Sequence, residues 1–427
     1  MTKIASLGAW EALDSRGTPT VACEVMLAGG ARGCATVPSG ASTGTHEAHE
    51  LRDGGERYGG RGVLRAVENV RGALAEAVVG LDAGDQAAVD AALCAADGTP
   101  SLGRLGANAV LAVSIANAVA AAAAAGEPLW RVTAAGREPL IPLPMVNILS
   151  GGAHAGRAID MQDFLAVPVG ASSFREALEW VWRVRAAAAE LVAERGLAAA
   201  LVADEGGLGP ALRSNRDALE LLTRAIERCG LAPGEQVGIA IDVAATQLVT
   251  ADGGYRLGVE GRELRAAELA RELASWASEH PIVSVEDPLA EDDWDGWESA
   301  REPLGGLQVL GDDLFVTSPE RLRRGIAEGV GNAVLVKPNQ AGTLSTAREV
   351  VELAREARYA TVLSARSGET EDAWLADLAV GWRTGQIKVG STMRSERTAK
   401  WNRLLRIEAE LGDATRFAGR EALAPLA

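Results

Sequence analysis

Acidic residues in this chain sit where short apolar runs stop. The run 237–243 carries Asp242 near its end, 282–285 is followed by Glu286 and Asp287, and 307–310 is followed after one glycine by Asp312 and Asp313. Carboxylates gathered in apolar surroundings lose hydration and repel one another, so a hard divalent cation with oxygen ligands is the natural neutraliser, and magnesium suits such ligands best. The competing reading is that each acid merely caps the helix after its run. That explains one such acid more readily than three in succession. The next runs deliver cations: Lys337 follows 333–336, Arg366 and Ser367 follow 361–363, and Lys388 lies within 386–389.

Lysine is scarce. Only Lys3, Lys337, Lys388 and Lys400 occur among 42 basic residues, so arginine supplies the other 38. In a chain that uses arginine wherever the two are interchangeable, a surviving lysine marks a place where arginine fails, and only lysine can give up its proton. A lysine beside a cation and a second lysine has its pKa drawn down towards that of a general base. The alternative is a salt bridge to the acidic rim, a duty arginine could share. Lys400, in the arginine-rich stretch 394–406, reads as structural, and Lys3 as a terminal surface residue. Arg366-Ser367-Gly368 pairs a guanidinium with a hydroxyl and flexible backbone, which suits phosphate or phosphonate oxygens. His154 is set in Gly151-Gly152-Ala153-His154-Ala155-Gly156 and reads as functional rather than as loop packing. Asp204-Glu205-Gly206-Gly207 supplies the candidate general acid.

These residues need a frame that gathers them. From about residue 139 onward, eight short apolar runs alternate with amphipathic helices (141–148, 160–167, 237–243, 282–285, 307–310, 333–336, 361–363 and 386–389), which predicts a parallel β/α barrel with chemistry at the C-terminal ends of its strands. Two long helices, 174–194 and 214–229, fall between the second and third runs, so the barrel opens ββαα before it alternates as (βα)6. Residues 1–137 read as a separate α+β domain: a hairpin from Val21 to Val37, a loop of small residues at 38–44, then helices from about 63 to 126 with breaks near Asp97 and Gly106. The expected fold class is therefore α/β, with an α+β domain over 1–137 and a barrel over 138–427.

Composition excludes several classes. With 427 residues, 48% hydrophobic and 23% charged, the chain is neither disordered nor collagen-like. A net charge of −16 argues against duplex nucleic acid as a partner. Four cysteines without paired spacing suggest a reducing cytoplasm, and no apolar signal core precedes Arg16. The longest apolar stretch, 109–125, is interrupted by Ser114 and Asn117, so it is expected to fall short of a membrane span and to be a buried helix.

Several segments resemble the enolase family, in order along nearly the whole chain: Leu13-Asp14-Ser15-Arg16-Gly17, 37–44 (Val-Pro-Ser-Gly-Ala-Ser-Thr-Gly), Asp204-Glu205-Gly206-Gly207, 286–294 (Glu-Asp-Pro-Leu-Ala-Glu-Asp-Asp-Trp), Gly311-Asp312-Asp313-Leu314, 367–372 (Ser-Gly-Glu-Thr-Glu-Asp) and 404–408 (Leu-Leu-Arg-Ile-Glu). The resemblance implies that Asp242, Glu286 and Asp312 bind one magnesium ion and that Ser39, on a mobile loop, helps to bind a second. It implies that Lys337 removes the proton α to a carboxylate, that Lys388 and the metal ions stabilise the resulting dianion, and that Glu205 protonates the departing β-hydroxyl. His154, Asp163, Ala365, Arg366 and Ser367 would complete the substrate pocket, and a homodimer or larger homo-oligomer is implied.

The departures from the family pattern are as informative. Ala365-Arg366-Ser367 stands where enolases have His-Arg-Ser; Gln162-Asp163-Phe164 stands for Gln-Glu-Phe, shortening the carboxylate that partners the general acid; Leu208-Gly209-Pro210-Ala211 stands for Phe-Ala-Pro-Asn; and Lys337-Pro338-Asn339-Gln340 stands for Lys-Val-Asn-Gln. Most of these make the side chain smaller, which predicts a pocket enlarged around the phosphate end of the substrate. The leading expectation is a specialised enolase that dehydrates 2-phosphonoformylglycerate to carboxyphosphonoenolpyruvate, as in phosphinothricin-type biosynthesis. The alternative is an ordinary glycolytic enolase acting on 2-phospho-D-glycerate. A non-catalytic paralogue is the third reading, and the retained acids and lysines count against it.

Overall fold

The computed structural model describes residues 1–41 and 44–423; Ser42 and Thr43 of the small-residue loop and 424–427 lie outside the described residues. The chain opens with an antiparallel sheet, β1 (Ile4–Leu13), β2 (Pro19–Leu27) and β3 (Arg32–Thr36), in that order. The hairpin between β2 and β3 matches the alternation read from the sequence. β1 has no such alternation and becomes a strand because β2 offers it an edge along nearly its whole length.

Helices then cover this sheet, with a further break at 79–85 that the sequence did not signal. The helix Ala107–Ala125 lies against β2 and β3. Its length and composition are enough to cross a membrane, which corrects the expectation that it falls short, but 83% of its apolar window is buried within the protein. Ser114 and Asn117 are tied into that interior: the Gln86 side-chain amide donates to the Ser114 carbonyl at 3.0 Å, and the Asn117 amide to the Ala83 carbonyl at 3.1 Å.

The second sheet is a closed barrel. Its strands are β4 (Leu143–Ser150), β5 (Asp163–Val167) and β6 (Gly238–Asp242); then, past a small hairpin of β7 (Tyr255–Leu257) and β8 (Arg262–Leu264) that sequence reading missed, β9 (Ile282–Glu286), β10 (Gln308–Gly311), β11 (Ala333–Val336), β12 (Ala360–Ser364) and β13 (Gly385–Gly390). The closed order is β4-β5-β6-β9-β10-β11-β12-β13. Eight strands and the ββαα opening are as expected, but the barrel is not wholly parallel. β5 runs antiparallel to both β4 and β6. The link 151–162 holds only a single 3-10 turn, and without a crossover helix the chain can only turn back on itself. The two long helices, Phe174–Glu194 and Asn215–Arg228, follow β5. Leu143, Leu165, Ala240, Leu335 and Val362 fill the barrel interior below the mouth.

The reversal of β5 positions the site. Its first residue, Asp163, lies at the same rim as the last residues of its parallel neighbours. Asp163 pairs with Ser150 on one side and Asp242 on the other, and Asp242 pairs with Glu286. Three carboxylates thus stand side by side across adjacent strands.

The close approach of β3 to the helix Ala107–Ala125 depends on Gly33, where a Cβ would come within 2.2 Å of the Ala116 carbonyl oxygen and the Ala120 nitrogen. Gly33→Ala is expected to cost about 2 kcal/mol of stability by forcing the sheet off the helix. Urea unfolding followed by far-UV circular dichroism would detect it, and an unchanged midpoint would refute the packing argument.

Candidate active site

Many of the expected side chains enter the mouth from a strand end or the loop beyond it. Asp242 and Glu286 end β6 and β9, Asp312 follows β10, Lys337 follows β11, Ala365 to Ser367 follow β12, and Lys388 lies within β13. A single cavity at this rim is lined by His154, Gln162, Glu205, Asp242, Lys337, Ser364, Ala365, Arg366, Ser367 and Lys388. Sequence reasoning had singled out eight of these positions; Gln162 and Ser364 bear no signal beyond their neighbours.

Charges in this cavity are paired. The Lys388 ammonium donates to Asp242 at 2.8 Å and to both Glu286 oxygens at 2.9 and 2.8 Å. Lys337 donates to Asp312. Both lysines therefore make the salt bridges that were set against a basic role; in the protein alone burial pulls the Lys337 pKa down, but Asp312 outweighs burial and holds it above its ordinary value, whereas the expected depression requires a cation beside it. Burial together with Asp242 pushes the Glu286 carboxyl well up in spite of Lys388. Negative charge at the rim is thus under-compensated by the protein alone.

A buried set of oxygen donors with excess negative charge fits a divalent cation. The tightest groups of possible ligands, however, are not the expected trio. Ligand atoms within 4.8 Å of one another belong to His154, Asp163 and Glu205, and to Asp287, Asp312 and Asp313. In the second group Asp287 is already engaged, because its two oxygens accept the backbone N–H groups of Asp312 and Asp313 at 2.9 and 2.7 Å. It holds this role at a φ of 39°, a left-handed conformation that costs a non-glycine residue energy. Asp287 thus shapes the turn that presents Asp312.

In the first group the imidazole stands between the two acids. His154 sits on a short 3-10 turn, Gly152–Ala155, and its Nδ1 lies 2.8 Å from Asp163. Its Nε2 is 3.9 Å from Glu205. Asp163 also accepts from Asn147 and Ser150, residues that carried no sequence signal. Burial disfavours a charged imidazole, but Asp163 and Glu205 overcome it and His154 is pushed up to about 9. Burial opposes ionisation of Glu205 too, yet His154 and Arg397 hold its carboxyl below the ordinary value. Asp163 therefore meets Glu205 through His154 and not directly.

The loop 38–41 is pinned in the described structure. Ser39 exchanges backbone hydrogen bonds with Gly368 at 2.8 and 2.9 Å, and its hydroxyl lies 3.0 Å from both Glu50 and Arg52. Ser39 is thus placed beside the β12 loop, with its hydroxyl engaged by Glu50 and Arg52. Arg397, fully buried, donates to the carbonyls of Arg366 and Val389 at 2.6 and 2.9 Å and to that of Ser367, holding the phosphate-type loop from beneath.

Of the four departures, only Ala365 lines the cavity. Asp163 lies behind His154, Leu208 is buried against β4, and Pro338, buried at the start of the short helix Pro338–Ala341, does not line the cavity. The expected general loss of bulk is therefore corrected to one missing side chain, because the other shortened residues do not face the substrate space.

Fold and site together define a barrel enzyme equipped for acid–base chemistry at an acidic rim. Residues 138–426 match the family model described as the C-terminal TIM barrel domain of enolase, and 4–133 match the enolase N-terminal domain. The chain is 53% identical over 427 residues to an enolase of Rubrobacter xylanophilus, covering 100% of this chain and 99% of that one. It belongs to the enolase family of hydro-lyases.

The His154 pairing carries a pH signature. A histidine whose pKa rises from its ordinary 6.5 to about 9 on folding adds stability that is full below pH 6.5 and is lost as pH climbs through 9. Stability of the wild type is expected to decline across that window, and Asp163→Asn is expected to flatten the decline and lower the His154 pKa. Denaturant titrations below, within and above that window, with imidazole NMR, would check both.

Proposed function

We propose that the protein is a magnesium-dependent enolase that converts 2-phospho-D-glycerate to phosphoenolpyruvate and water, acting in the cytoplasm as a homodimer. The observation that carries this reading is the convergence of Lys337, Glu205, His154, Lys388, Arg366 and Ser367 on one cavity. Full-length similarity to a named enolase favours the ordinary substrate over a specialised one.

Arg366 and Ser367 bind the phosphoryl group and fix the distance from it to the reacting carbons. The Lys388 ammonium faces the substrate carboxylate, whose charge grows as the α-proton leaves. Lys337 Nζ accepts that proton, and because Asp312 favours the ammonium form, engagement of the Asp312 carboxylate elsewhere frees the amine. Glu205, held as the carboxylate, takes a proton from the charged His154, which Asp163 keeps protonated, and passes it to the departing β-hydroxyl. Asp242, Glu286 and Asp312 would hold one magnesium ion and Ser39 would help to hold a second. Bound magnesium supplies the fixed positive charge without which a proton α to a carboxylate is too weakly acidic to remove. Exposed Leu13 and Met393, flanking the contact of Arg394 with the Ser15 carbonyl, support an apolar face for a second copy.

A second reading rests on Ala365 alone. A head group longer by one carbonyl, as in 2-phosphonoformylglycerate, would occupy the space that a histidine fills in other enolases.

Purified protein with magnesium is expected to dehydrate 2-phosphoglycerate, to lose activity to a chelator and to regain it on adding magnesium. Lys337→Ala and Glu205→Gln should each lower kcat by about 10²–10⁴-fold. Offering 2-phosphonoformylglycerate in parallel, with phosphorus NMR detection, separates the readings: preferential turnover of that compound, abolished by Ala365→His, would replace the ordinary reading with the second. Turnover of neither would remove both.

A further inference from the structure

Among the described residues Arg366 is the one guanidinium lining the cavity, and it does not stand alone. Its two terminal nitrogens meet the Glu47 carboxylate in a forked pair, Nη1 to Oε2 at 3.0 Å and Nη2 to Oε1 at 3.1 Å, and Nη1 also donates to Asn339 at 2.9 Å. Both charged side chains are buried, Arg366 at 3% exposure and Glu47 at 8%. Glu47 comes from the N-terminal part of the chain, in the segment after the small-residue loop, and it is held independently of Arg366. The Gly44 N–H donates to its Oε1 at 2.9 Å, and the Gln340 amide approaches the same atom at 3.4 Å while donating to Asp312 at 3.0 Å. The backbone beside it is docked on the barrel, with the Ala48 N–H on the Gln340 carbonyl and Thr45 on Glu291.

Two roles are open to such a carboxylate. It could occupy the seat of the substrate's phosphoryl group and have to be displaced, or it could hold the guanidinium from behind. The cavity decides between them, because Arg366 lines it and Glu47 does not. An anion entering the cavity meets the guanidinium without evicting the carboxylate.

We propose that Glu47 is a positioning residue for the phosphoryl-binding guanidinium, so that docking of the N-terminal segment onto the barrel mouth completes the anion pocket. This rests on the assignment of Arg366 to the phosphoryl group made above. A forked carboxylate fixes the plane of a guanidinium as a single acceptor cannot, and a planar, oriented fork is what a phosphoryl group requires. Glu47 also lowers the net charge of the pocket, so its removal has two opposing effects on an anion: stronger Coulombic pull and lost orientation. The structure assigns the larger effect to orientation, since the Glu47 carboxylate spans both terminal nitrogens of the guanidinium whereas Asn339 meets one.

The test compares wild type with Glu47→Ala and Glu47→Gln in magnesium buffer. With 2-phosphoglycerate, Glu47→Ala is expected to raise KM about tenfold, the scale of one charge-assisted contact, with a much smaller change in kcat. Inhibition by inorganic phosphate should weaken by a similar factor, whereas inhibition by D-glycerate, which lacks the phosphoryl group, should stay the same. Glu47→Gln, which keeps one acceptor, should fall between, and it carries the same comparison if circular dichroism shows Glu47→Ala unfolded. Tighter phosphate binding in the variants would mean that Glu47 competes with the anion, and equal weakening of phosphate and D-glycerate would mean a general structural role; either result overturns the proposal. Unchanged phosphate inhibition alongside normal wild-type turnover overturns it while sparing the enolase reading. Wild type that leaves 2-phosphoglycerate untouched, yet binds phosphate less well without Glu47 in a calorimeter, overturns the enolase reading and supports this one.

Discussion

The cost of burying charge governs this structure. An ion taken out of water without a partner is prohibitively expensive, yet the barrel mouth holds carboxylates from three neighbouring strands together with two lysines, an arginine and a histidine. Several of these charges are paired, although negative charge remains in excess. Lys388 spans Asp242 and Glu286, Lys337 meets Asp312, His154 stands between Asp163 and Glu205, and Arg366 is held by Glu47. Removing one partner would strand the other, so the pairs act as a set and the strands that carry them must keep register.

That register depends on an irregularity. In a wholly parallel barrel the first residue of β5 would lie at the opposite rim from the last residues of β6 and β9. Because β5 runs backwards, Asp163 joins Asp242 and Glu286 in one row, and the short link 151–162 that forces the reversal also carries His154. One short connection thereby carries His154 and leads directly into Asp163, its partner. The left-handed backbone at Asp287 works similarly on a smaller scale, spending strain to present Asp312.

The scarcity of lysine proves more informative than composition alone suggested. Lys337 and Lys388 lie where the bare pattern placed them, and Lys400, which looked merely structural, has its own reason not to be arginine. Its buried ammonium donates to the Glu369 carboxylate and to the carbonyls of Thr370 and Glu396, three acceptors set around one point, which a planar guanidinium does not match. The missing-bulk argument fared less well. Four departures from the family pattern were legible, but whether a smaller residue enlarges a pocket depends on which way it faces, and only Ala365 faces the substrate space.

The sequence by itself determined the eight-stranded barrel, the ββαα opening, the strand ends that bear Asp242, Glu286, Asp312 and Lys337, and the family, because apolar periodicity and ordered motifs are local properties of the chain. It did not disclose β1, the β7–β8 hairpin, the reversal of β5 or the partners Glu47, Asn147, Ser150 and Arg397. A strand without alternation forms only because another strand lies beside it. A pairing such as Glu47 with Arg366 joins residues far apart in the chain and exists only once two separately folded regions meet. Tertiary structure also biases protonation, since the carboxylates that the fold brings close to His154 and Lys337 favour their charged forms, and spacing along the chain does not encode that distance.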